Sequence, residues 1–229
     1  MTLLLRDFAA YLARPRLITP SGLGAPGAWG TVLVLLAFHL MVLLGVLSPL
    51  LGLWQSAMAL PASEAFAAVP KAWLVPLVVL IAPLGEEVVF RGWLTGRVRA
   101  LWLLGCALAA GGLLAMVSFH VAEVPASFGV VALGLIAPIG WWLLRKRGVP
   151  AWFAAAFPAL VWLSIAVFGL SHLSNYPRFS WALLPMILPQ VWAGLVLSYA
   201  RMRIGLAASI LIHAAANGAA ISLALMSGS

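Results

Sequence analysis

The sequence predicts an all-α fold, a polytopic bundle of about seven transmembrane helices with a polar cavity near mid-membrane. Three observations carry this. Of the 229 residues 65% are hydrophobic and 8% charged, with a mean hydropathy of +1.12, against roughly 45–50% apolar residues in a soluble domain. Apolar runs recur at the length of about 20 residues that a hydrocarbon core demands. The few ionisable residues within those runs gather in short motifs instead of scattering.

Read between its punctuation, the chain gives candidate helices near 29–53, 72–95, 100–121, 127–144, 151–173, 181–199 and 204–226. Together they make one integral membrane domain over 1–229, in which 28–83 form the less specific N-terminal spans, 84–229 carry the motifs, and 98–147 look like an inserted helical pair. The first long apolar run begins only near Trp29, after Arg6, Asp7, Arg14 and Arg16. That pattern is unlike a cleavable signal peptide, and the first span is expected to be retained. Pro138, Pro158, Pro185 and Pro189, with Gly111 and Gly112, allow close helix contact and local kinks.

The formal net charge of +8 comes from 13 Lys and Arg against 5 Asp and Glu. In a soluble protein this balance would suggest nucleic acid, but here the basic residues cluster between apolar runs. Arg14 with Arg16, Arg97 with Arg99, Arg145 to Arg147 and Arg201 with Arg203 are read as loop anchors beside anionic lipid. Placing these clusters inside puts the N-terminus in the cytoplasm and the C-terminus outside. The partners expected are therefore the lipid bilayer and a membrane-anchored protein or peptide, with no nucleic acid. Cys106 is a lone cysteine in an apolar run, read as a small packed hydrophobe.

An ionisable side chain at the bilayer centre costs about 2.5–3.5 kcal/mol on insertion scales, so those that persist usually face a cavity and have a task. The densest cluster is Gly85-Glu86-Glu87-Val88-Val89-Phe90-Arg91-Gly92. Glu87 and Arg91 lie one turn apart on the same helix face and can pair. Glu86, rotated away and without its own cation at i+4, is the candidate for proton transfer. The blander reading is a pair at the helix end, snorkelling to the interface.

Two further motifs follow, Phe168-Gly169-Leu170-Ser171-His172 and His213-Ala214-Ala215-Ala216-Asn217. His213 and Asn217 share a face, where imidazole and carboxamide can donate to a developing oxyanion. At about 1.5 Å per residue, Glu86 and His213 lie at similar depths from the neighbouring basic clusters. His172 joins them if 148–157 lies along the interface and the fifth span begins near Pro158. Otherwise His120 becomes the first substitute. On its own evidence His120 reads as an outer-interface pair with Glu123, and His39 as a packed or interhelical hydrogen-bonding residue.

Taken in order, Glu-Glu-x-x-x-Arg, Phe-x-x-x-His and His-x-x-x-Asn resemble the motifs of the CAAX protease and bacteriocin-processing family. These are glutamic intramembrane proteases that include the Ras-converting prenyl-protein endopeptidases. The resemblance extends through Phe90 to Leu94, Ser164 to Leu173 and Gly194 to Asn217. It implies that Glu86 and His172 activate a water for attack on a peptide carbonyl, that His213 and Asn217 stabilise the oxyanion, and that Glu87 and Arg91 support the site. No cofactor and no metal is implied. The departure is the segment 98–147, which separates the first two motifs by an extra helical pair.

Two other chemistries fit the same residue types. Two Glu and two His can ligate zinc with an open position for water, although the chain lacks His-Glu-x-x-His and Arg91 competes with a divalent cation for Glu87. Intramembrane carboxylates and histidines also suit a proton-coupled transporter, although no internal repeat accompanies them. The residues leave open the substrate, the cut site and any role for prenylation; a prokaryotic plasma membrane is the expected location.

Overall fold

The architecture is that of a computed structural model, which describes residues 2–227. Among these residues seven helices are long and apolar enough to cross a membrane. After a short α1 (Thr2–Ala13), they are α2 (Ala28–Ala57), α3 (Lys71–Thr95), α4 (Val98–Ser118), α5 (Glu123–Leu143), α6 (Ala151–Asn175), α7 (Trp181–Arg203) and α8 (Leu206–Met226). The all-helical polytopic bundle is as the sequence predicts, with boundaries moved by a few residues. The chain divides into two compact units, Met1–Arg91 with Phe157–Ser229, and Gly92–Ala156.

In the first unit, α6, α7 and α8 supply most of the buried residues. Phe157, Val161, Ile165 and Phe168 recur at helical spacing along α6 and are at most 2% exposed. Two glycines bring α6 against α7. A Cβ on Gly194 would stand 3.0 Å from Ile165, and one on Gly169 would stand 2.7 Å from Val191. Without hydrophobic driving force in lipid, such close approach is what holds spanning helices together.

Helix α1 was not expected from the apolar runs. It is held by packing rather than by length: Phe8 meets Phe38, Trp192 and Tyr199 edge-on at ring-centroid distances of 5.3–6.2 Å. The Tyr199 hydroxyl donates to Asp7 at 2.6 Å, and Asp7 also faces Arg16 and Arg203, each at 3.8 Å. The irregular stretch that follows satisfies carbonyls at the end of α7, with the Ser21 and Gly22 amides donating to Arg203 and Ile204.

Two prolines impose local departures from α geometry. Ser48-Pro49 in α2 and Ala82-Pro83 in α3 each follow a π-helical turn, Leu43–Leu47 and Leu77–Ile81. In both, the residue before proline donates its amide five residues back, Ser48 to Leu43 and Ala82 to Leu77. The proline, lacking N–H, then leaves the next carbonyl without a helical donor. For α3 that carbonyl belongs to Val78.

The second unit contains the residues expected as an inserted pair. They form α4 and α5, antiparallel and joined across Phe119–Ala122. Trp102 donates its indole N–H to the Ala137 carbonyl at 3.1 Å, and Gly140 gives the indole its room, since a Cβ there would run into it. Cys106 is buried and free, as a packed small hydrophobe should be. His120 and Glu123 pair at 2.6 Å at the exposed turn, where His120 has a left-handed φ of 57°.

Gly96, just beyond α3, tests the packing of this unit. Its φ is +68°, and a Cβ would lie 2.5 Å from Phe153 and 2.8 Å from Val149. Gly96→Ala is expected to destabilise the protein by about 1–3 kcal/mol through combined strain and overpacking. Gly111→Ala, where nothing lies within 4 Å, should leave stability unchanged or slightly raised. Thermal unfolding of the two variants in detergent checks this, and equal midpoints would contradict it.

Candidate active site

The site is built on α3, where the sequence places Glu86, Glu87 and Arg91 on the helix Ala82–Arg91. Glu87 and Arg91 are both 0% exposed, and their side chains meet at 2.6 Å between Arg91 Nη1 and Glu87 Oε1. Taking two charges out of water is expensive unless they pair with good geometry, and the i,i+4 spacing supplies it. The interfacial snorkelling alternative does not describe this pair.

The same carboxylate oxygen has a second partner. His213 Nδ1 lies 2.9 Å from Glu87 Oε1, and on the other side of the ring Nε2 lies 3.7 Å from Glu86 Oε2. A ring N–H donating to Glu87 fixes the tautomer and turns Nε2 toward Glu86. His213 is 6% exposed and Glu86 keeps a side-chain exposure of 31%. The two adjacent glutamates therefore occupy different environments, one sealed between two cationic or donor partners, the other reachable.

Asn217 sits one turn beyond His213 on α8, and its Nδ2 donates to the Val78 carbonyl at 3.0 Å. This is the carbonyl that the π turn and Pro83 deprive of a helical donor, so the amide repairs the break. The carboxamide carries two N–H donors, of which this contact uses one.

His172 arrives differently from the way the sequence suggests. Helix α6 continues from Ala151 to Ser171 without ending at Pro158, which lies inside it; no separate element covers 148–157. His172 opens the closing 3₁₀ turn, His172–Asn175. What brings it toward the other groups is Phe168, whose ring is 4.9 Å from the His172 ring, 6.1 Å from the His213 ring and 4.0 Å from the Arg91 guanidinium carbon. His172 Nδ1 lies 2.8 Å from the Phe168 carbonyl, so Nδ1–H donates there and Nε2 is left as the acceptor. No hydrogen bond or ion pair joins His172 to Glu86 among the described residues.

Two further residues, of which Arg201 was read otherwise from the sequence, belong beside this cluster. Arg201, assigned with Arg203 to a loop anchor, is 6% exposed and donates Nε–H to the Arg91 carbonyl at 2.9 Å. Ser164, 4% exposed, donates to the Phe90 carbonyl at 2.7 Å. The signal for Arg201 was its helical register, one and two turns after Leu197 and Gly194 on a packed face. His39 is 2% exposed, its ring stacks on Trp192 at 6.3 Å, and its own carbonyl accepts the indole N–H.

A family model described as type II CAAX prenyl endopeptidase Rce1-like matches residues 67–219, about two thirds of the chain. The chain belongs to that family of membrane proteases. No curated protein and no solved structure matches it.

The buried pair makes a stability prediction. Arg91→Met leaves Glu87 without its guanidinium in an apolar interior and is expected to lower stability by about 3–5 kcal/mol, whereas Arg178→Met on the exposed surface should change it little. Glu87→Gln, which removes the charge but keeps the shape, should fall between them. Heat-induced unfolding in detergent measures all three; an Arg91→Met protein melting with the wild type would remove the pair from the structural core of the site.

Proposed function

We propose that this member of the Rce1-like family cuts a peptide bond of a membrane-associated protein or peptide by water activated at Glu86 and His172. Glu86 is the half-exposed carboxylate, and His172 presents Nε2 as a proton acceptor. In this reading they take a proton from the water as its oxygen bonds to the scissile carbonyl carbon. The carbonyl oxygen becomes an oxyanion, held by the Nε2–H of a doubly protonated His213, whose Nδ1–H stays on Glu87, and by the second N–H of Asn217. Return of the proton to the leaving nitrogen lets the C–N bond break, releasing an amine and a carboxylic acid.

The observation that carries this reading is the His213 ring set between the two glutamates, at 2.9 Å from Glu87 and 3.7 Å from Glu86. Glu87, itself held by Arg91, orients the ring so that Nε2 is turned toward the reachable carboxylate. The same commitment of Glu87 to Arg91 and His213 favours a glutamate and histidine mechanism over zinc ligation by these groups. Of the three alanines after His213, Ala214 and Ala215 are at least partly exposed and leave room for a substrate backbone, while Ala216 is 2% exposed.

We place the protein in the plasma membrane of a prokaryote, with the N-terminus cytoplasmic and the C-terminus outside, on the distribution of its basic clusters. One integral membrane domain carries the site in this reading, and α4 with α5 is the insertion into it.

Comparing protein termini across membranes that carry the wild type or Glu86→Gln tests the activity and finds the cut site together. New termini should appear only with the wild type, and the turnover of a substrate so identified should fall roughly 10²–10⁴-fold in the variant. Cuts that persist with Glu86→Gln would overturn the mechanism. So would activity abolished by a chelator and restored by zinc.

A further inference from the structure

We infer that Ser164 and Arg201 are positioning residues of the active site, two side-chain clamps that fix the end of the catalytic stretch of α3 against α6 and α7. The α-helical part of α3 stops at Arg91 and changes to a 3₁₀ turn at Gly92–Thr95. Carbonyls at a helix end lose regular partners, and Arg91, the last α-helical residue, is 0% exposed. Ser164 takes the Phe90 carbonyl at 2.7 Å and Arg201 takes the next one, Arg91, at 2.9 Å. The two donors come from different helices and are 4% and 6% exposed.

Their place in the chain gives these bonds a consequence beyond satisfying two carbonyls. Ser164 lies one turn before Phe168, the ring that touches Arg91, His172 and His213. Arg201 lies near the end of α7, from which the chain turns at Gly205, with φ +141°, into the helix that carries His213 and Asn217. Fixing Ser164 to Phe90 sets the height of Phe168 and His172 against Glu86. Fixing Arg201 to Arg91 sets the height of His213 against Glu86 and Glu87. A shift of one element along another would lengthen the 2.9 Å contact that orients the His213 ring.

The catalytic consequence rests on the peptidase reading above, while the positional claim stands on the two hydrogen bonds, so the test has two arms. The chain has 4 histidines, few enough to resolve and assign by nitrogen NMR of histidine-labelled protein in lipid nanodiscs. In Ser164→Ala and Arg201→Met, the His213 and His172 imidazole signals should move from their wild-type positions. The His120 signal, from the exposed turn between α4 and α5, should stay in place. Ser164→Ala removes a single oxygen and decides the matter alone if Arg201→Met does not fold.

Unmoved His213 and His172 signals in folded variants would overturn the inference, as would a shift of His120 as large as theirs. With a cleavable substrate in hand, kcat should fall roughly tenfold to a hundredfold with KM little changed, the mark of displaced catalytic groups. A loss confined to KM would also overturn it. If no cleavage is found at all, the peptidase reading fails and the NMR arm still decides the clamp.

Discussion

The arrangement depends on one buried oxygen, Oε1 of Glu87, which receives Arg91 and His213 together. A carboxylate that is 0% exposed in an apolar bundle persists as an anion only with compensating partners. Arg91 supplies the charge from the same helix, at a spacing that needs no other element to set it. His213 supplies the second contact from a helix 126 residues further along the chain. The demand for charge compensation and the orientation of an imidazole are thus met by a single atom. Glu86, next in sequence and turned aside, escapes both partners at hydrogen-bond distance and retains its access.

Around that oxygen the backbone is irregular, and the irregularities are local answers to proline and helix termination. Pro83 removes the amide that the π turn would aim at the Val78 carbonyl, and Asn217 fills the gap. The end of the α-helical stretch at Arg91 leaves further carbonyls, and Ser164 and Arg201 fill those. In water such groups would be solvated; in a membrane interior each needs a protein donor. The polar residues of the first unit are therefore tied to α3 at three successive depths, Val78, Glu87 and Phe90 with Arg91. The requirement to satisfy backbone groups becomes a ruler for the site.

The spans were legible in the sequence because hydrophobic length is a one-dimensional property, and so was the Glu87–Arg91 pair, fixed by helical spacing alone. His213 with Asn217 was legible as a shared face, but not the partners of either. Those are long-range contacts, and Asn217 answers a defect at Val78 that depends on where a π turn falls. Arg201 was misread because a basic residue near a span's end looks the same whether it reaches water or a buried carbonyl. Helix α1 escaped notice because its stability comes from Phe8 and Asp7 meeting the end of α7, not from an apolar run.

His172 shows where counting residues ceases to be informative. Measuring depth along α6 required choosing a starting point, and the choice at Pro158 presumed that the helix breaks there. Proline inside a spanning helix is tolerated when neighbours adjust, and α6 runs through it. The placement of His172 is set instead from the side by Phe168, one turn below, which packs against Arg91 and His213. Its Nδ1 bond to the Phe168 carbonyl then settles the direction of Nε2 within the same turn. A single aromatic ring thereby connects the motif that carries the second histidine to the pair that carries the buried charge, and depth follows from that contact.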